Sequence, residues 1–162
     1  MGADFSWSES NGVGEDVTSL GSVGSTILGW AYKTVDSSGT QDFAANPITA
    51  GANSFEKYLR GDFQGTFNTV NNLKIWRSAG SLGAFGVIDL YSGTGAYATP
   101  GTADSSKATV IIGTASPAAT NVGGSLTGTG FSGYNILQAR ASTSAPSGNS
   151  GTSRVSLSFD ET

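Results

Sequence analysis

The sequence predicts an all-β fold: a single antiparallel β-sandwich of about seven to nine strands, with jelly-roll or immunoglobulin-like topology. Three observations carry that expectation. Several segments alternate apolar and polar residues with period two, and none long enough for a helix keeps the helical period. Glycine is abundant, 24 of 162 residues, about double the usual share of roughly 7%. It falls with Ser, Thr, Asn and Pro between the alternating segments, where tight turns need it. Eight Phe, five Tyr and three Trp supply bulk for one core, and the length suits one domain.

In chain order, residues 1–22 read as an N-terminal arm rich in Ser, Gly and acid, ahead of a sandwich over 23–162. Phe5 and Trp7 are its candidate interaction residues, because rigid aromatics anchor contacts with another chain. Ser25–Thr34 reads as the first strand, closed by an Asp36-Ser37-Ser38-Gly39 turn. A loop through Asn46-Pro47 leads to the clearest pattern in the chain. From Phe55 to Phe67 the odd positions Phe55, Lys57, Leu59, Gly61, Phe63, Gly65 and Phe67 make a mostly apolar face. The even positions Glu56, Tyr58, Arg60, Asp62, Gln64 and Thr66 make a polar one. So long a strand is expected to bulge or bend at Gly61 and Gly65. Lys57 has the apolar parity, so it must snorkel to an edge or sit at a bulge that turns it outward.

Leu73–Arg77 is expected to pair back on this strand after an Asn-rich turn at Asn68–Asn72. Ala84–Tyr91 is a strand, and Lys107–Ile112, rich in β-branched residues, reads as a central one. Residues 113–133 read as a long surface loop with a short strand near Leu126. Tyr134–Ala141 and Arg154–Glu161 alternate cleanly and are expected to form a hairpin around the Pro146–Gly151 turn. The predicted core is Phe55, Leu59, Phe63, Phe67, Leu73, Ile75, Val87, Val110, Ile112, Leu137, Val155, Leu157 and Phe159.

Composition argues against most chemistry. Histidine and cysteine are absent, which removes the commonest general base, the commonest metal ligand and any thiolate. No nucleophile elbow or phosphate-binding loop is present. Glu56 and Asp62 share a strand face but lie roughly 20 Å apart at ~3.3 Å per residue, too far for either glycosidase geometry. Ion pairs of Glu56 with Lys57, Arg60 or Lys74 are the expected use of that acid. The reading is therefore no enzyme, no catalytic residues, no cofactor and no metal. Gly14-Glu15-Asp16 and Asp160-Glu161 are solvated acids rather than cation sites. Arg60-Gly61-Asp62 spells an adhesion tripeptide, but mid-strand rather than at a loop tip.

Net charge is −4, and the basic residues are scattered, so no direct nucleic-acid binding is expected. No apolar stretch is long enough to span a membrane. The Met1–Ser6 stretch matches the loose myristoylation pattern, but no basic patch reinforces it.

The run N-S-F-E-K-Y at Asn53–Tyr58, the G-x-F-N-x-V-x-N-L run at Gly65–Leu73 with Trp76, and Ser158-Phe159-Asp160-Glu161 resemble structural proteins of tailed bacteriophages. The resemblance covers about half the chain. It implies a non-enzymatic virion component, a capsid decoration or minor capsid protein assembled in the host cytoplasm. Its implied partners are the major capsid protein, other virion subunits and copies of itself. It carries no functional residues over. The alternative is a receptor- or carbohydrate-binding sandwich of tail-fibre or adhesin type. Exposed Trp and Tyr stacking on sugar rings would mark that alternative; Trp7, Trp30 and Trp76 are the candidates, and the latter two read as buried or half-buried in strands.

Overall fold

A computed structural model describes residues 2–22, 32–37, 45–80, 87–94, 96–101, 108, 110–114, 120–121, 124–147 and 153–162. Among these residues the fold is all-β and antiparallel, as the alternation predicts. Ten strands form two unequal sheets. They are β1 (Ala3–Asn11), β2 (Asp16–Ser22), β3 (Lys57–Gly65), β4 (Val70–Gly80) and β5 (Val87–Thr94). There follow β6 (Val110–Ile111), β7 (Thr120–Asn121), β8 (Gly130–Phe131), β9 (Tyr134–Ala141) and β10 (Ser153–Glu161). The larger sheet runs β2-β1-β3-β9-β5-β6, with β8 also on β3; the smaller runs β10-β4-β7.

Residues 1–22 are not an arm. β1 and β2 make a hairpin through a Gly12–Glu15 turn, with Gly12 and Glu15 at positive φ. β1 then lies along the whole of β3, Phe5 opposite Phe63 and Glu9 opposite Leu59. The cause is in the sequence: Phe5, Trp7, Glu9 and Asn11 alternate with Ser6, Ser8 and Ser10, a strand pattern. Phe5 and Trp7 are buried at 6% and 5% exposure in the chain's own core, which removes them as intermolecular anchors.

Two expected hairpins are corrected as well. β3 and β4 do not pair; residues 66–69 carry the chain from the larger sheet to the smaller. β9 and β10 do not pair either; β9 lies between β3 and β5, and β10 lies on β4. Alternation fixes which face a residue takes, but not which strand is its neighbour. Val110–Ile111 ends the larger sheet rather than lying central, and Ile111 is exposed. The expected strand at Ser25–Thr34 falls mostly outside the described residues.

The core lies between the two sheets. Phe5, Trp7, Leu59, Phe63 and Leu137 of the larger sheet meet Val70, Leu73, Ile75 and Val155 of the smaller, with Ile112. Phe67, Leu157 and Phe159 pack half-buried against them. Phe55 is half-buried, and the side chains of Val87 and Val110 fall outside the described residues.

Gly61 is neither bulge nor bend, since β1 and β3 stay in register across it. A Cβ there would lie 2.7 Å from ring carbons of both Phe5 and Phe63. The glycine lets those rings, 5.2 Å apart by centroid, close over the strand. Gly65 does end the strand, at φ 92°.

Candidate functional site

Two polar clusters stand on opposite faces of the larger sheet. The inner one closes an end of the core. Lys57 and Glu9 both point inward and are fully buried. Lys57 Nζ meets Glu9 Oε1 at 2.9 Å and donates to the Ser37 carbonyl at 2.6 Å. Lys57 therefore neither snorkels nor turns outward; it stays on the apolar face because a carboxylate and a carbonyl meet it there. Asn11 Nδ2 bridges Glu9 Oε1 and Asp36 Oδ1, and Asp36 Oδ2 accepts from the Gly12 amide. The cluster ties the β1–β2 hairpin to residues 36–37. Its charged groups are all engaged in holding chain segments together.

The outer cluster is aromatic. Tyr58, Tyr97 and Tyr134 form a triad with ring centroids 5.0 to 5.8 Å apart. Tyr97 donates to the Gly12 carbonyl at 2.5 Å, which pins residues 96–101 across the sheet to the hairpin turn. Tyr134 donates to Glu15 Oε1, and its hydroxyl also meets Ser10 Oγ at 2.8 Å. Burial first, then the Glu15 hydrogen bond, pushes the Tyr134 phenol up to about 12. Burial, then the Asp36 and Tyr134 charges, raises Tyr97 further still. Both phenols are thus donors at neutral pH and unsuited to act as bases.

Arg60 completes the outer cluster. Its guanidinium carbon lies 3.9 Å from the Phe131 centroid and 4.6 Å from that of Tyr134. Its Nη1 reaches Glu15 Oε1 at 3.4 Å. The Arg60-Gly61-Asp62 tripeptide is mid-strand in β3, as expected, with Asp62 accepting from Gln64 Nε2 at 2.6 Å.

Glu56 is buried, and its Oε2 accepts the Gly101 amide at 2.9 Å. Of its expected partners, Lys57 is taken by Glu9 and Arg60 by Glu15. Ser54 is buried too; its Oγ accepts the Ala139 amide, while Gln138 donates to the Ser54 carbonyl. The residues of the Asn53–Tyr58 run thus serve as fold-building contacts. Asp160 accepts from Asn72 Nδ2, and Glu161 Oε2 accepts the Ala3 amide at 3.0 Å.

Among the described residues, no three His, Cys, Asp or Glu side chains come together as a metal site. Nor, among the described residues, is any helix long and apolar enough to cross a membrane. Of the tryptophans, Trp7 is buried, Trp76 is half-buried, and Trp30 lies outside the described residues. Among the described residues the exposed aromatic is Phe131, at 42%, in the stretch that the sequence reads as a loop. Comparison of the chain with models of known protein families, with curated proteins and with solved structures gives no match.

Proposed function

We propose that this chain is a non-enzymatic structural protein of a tailed-bacteriophage virion, a capsid decoration or minor capsid protein. It works by protein–protein contact with the major capsid protein or other virion subunits, and with copies of itself. It needs no cofactor, binds no nucleic acid directly and inserts in no membrane.

The observation that carries the reading is the use of the phage-like run Asn53–Tyr58. Ser54, Glu56, Lys57 and Tyr58 are all buried and knit β3 to β9, to the N-terminal hairpin and to residue 101. A sequence signature spent on scaffold rather than on a reactive centre suits a protein whose task is to hold shape in an assembly. The acidic balance and the use of Glu9, Lys57 and Asp36 to tie chain segments together agree with that task.

Mass spectrometry of density-purified particles, followed by reconstruction of those particles, tests it. The expected result is this chain at a repeated surface position on the head. Its absence from purified particles, while abundant in the infected-cell lysate, would overturn the proposal.

A further inference from the structure

β8 and β9 are one strand interrupted by an inserted residue. Between Leu59 and Asp62, β3 advances three residues, while their partners Asn135 and Phe131 are four apart. The extra residue lies at Ser132–Gly133. Without it, alternation would aim Phe131 at the inner face with Asn135 and Leu137. With it, Phe131 turns to the outer face beside its partner Asp62. Bulges that re-aim one side chain are built features rather than defects. This one is secured. Ser132 Oγ accepts the Gly61 amide at 2.9 Å, and the Ser132 amide donates to the Gly61 carbonyl at 2.9 Å. Upstream, Leu126 exchanges two backbone hydrogen bonds with Val70 on the smaller sheet. The stretch that carries Phe131 is thus fastened to both sheets.

The ring itself is also fixed. Arg60 stacks on Phe131 from within the sheet, yet the ring stays 42% exposed. Around it on the outer face stand Asp62 and Gln64, hydrogen-bonded to each other, and across β1 their partners Ser6 and Asp4. From these residues we propose that Phe131 is the stacking platform of a shallow site for a neutral saccharide. A pyranose face lies on the free side of the ring, and its hydroxyls bond Asp62 and Gln64.

The chemistry selects this class. A fixed ring bordered by a carboxylate, which accepts hydrogen bonds, and an amide, which gives and accepts them, matches a sugar's apolar face and hydroxyl rim. Asp4, Glu15 and Asp62 against Arg60 leave this part of the face with a net charge of −2, three carboxylates less one guanidinium. That disfavours sulfated or phosphorylated glycans and nucleic acid. A protein interface would need a broader apolar centre than one ring.

The site does not depend on membership of a virion, so the two proposals fail separately. Titrating the labelled protein with maltohexaose, cellohexaose and chitohexaose, read by amide chemical shifts, tests it. The expected result is saturable shifts at residues 62, 64 and 130–132 with at least one sugar. Phe131→Ala should weaken that binding about tenfold or more, on the scale of one lost ring stack. Phe131→Tyr should retain both the binding and the melting temperature, and Phe131→Ala should lower that temperature only slightly, through the lost Arg60 stack. No binding by any of the three, shifts elsewhere on the surface, or equal binding by Phe131→Ala would overturn the proposal. So would a change in sedimentation caused by Phe131→Ala, which would assign the ring to a protein contact.

Discussion

The two faces of the larger sheet solve burial in different ways. The inner face excludes water with apolar bulk, and admits the Lys57–Glu9 ion pair where a carbonyl completes it. The outer face buries tyrosines and an arginine whose polar ends are handed to the hairpin turn and to Glu15. Inside, stability follows from area and close packing. Outside, it follows from hydrogen bonds and ring contacts, which are individually smaller and sensitive to protonation. Perturbing the two faces should therefore differ in size and in dependence on pH.

The largest effect should come from removing residues 1–22. This takes away β1 and β2, with Phe5 and Trp7 from the core and Glu9 from beside Lys57. The truncated chain should show no cooperative thermal transition and no near-ultraviolet aromatic signal. A melting temperature close to that of the full chain would make the segment dispensable and erase the difference between the faces.

Next comes the ion pair. Lys57→Met alone leaves Glu9 charged and buried, at a cost of about 3–5 kcal/mol in denaturant unfolding. Adding Glu9→Leu should restore most of the loss, because an apolar pair of similar volume suits the rest of that face. A double variant as unstable as the single would mean that the cluster contributes more than neutralised charge.

Gly61→Ala should cost about 1–3 kcal/mol by overpacking, because its Cβ would press on Phe5 and Phe63 at 2.7 Å. Combining it with Phe5→Leu should recover part of that loss. Equal losses with and without Phe5→Leu would place the strain in the backbone instead.

These residues also show what could be read in advance. The parity of Leu59, Phe63, Leu73, Ile75, Leu137 and Val155 put them in the core, because a strand's period is fixed by its backbone. The same alternation runs through Phe5, Trp7 and Glu9, but the serines between them, with acid and glycine nearby, read as a flexible arm. Lys57 announced a conflict on the apolar face. Its resolution needed Glu9, 48 residues away, and the sequence holds no record of that register. Phe131 was hidden most deeply. Its direction depends on one inserted residue whose hydrogen bond goes to Gly61, and no local pattern marks such an insertion.

The smallest effect belongs to the outer face and appears only in alkali. Tyr134 has its phenol raised from 10.0 to about 12 by burial and by the bond to Glu15. The folded state therefore holds this proton more tightly than the unfolded chain does. A group raised on folding contributes its stability in full below the unfolded value and loses it as pH climbs through the folded one. For Tyr134 that window runs from about pH 10 to about pH 12. The Glu15 carboxylate opposes a phenolate there, while the Ser10 hydroxyl and Arg60 favour one. Tyr134→Phe removes the titrating proton together with the contacts to Ser10 and Glu15. It should cost about 1 kcal/mol at neutral pH, and its stability should then fall less steeply than that of the parent across the window. Because lysines titrate in the same range, the difference between the two proteins, followed by urea unfolding at stepped pH, isolates the phenol. Parallel curves would mean that the Tyr134 hydroxyl is not what couples the outer face to pH.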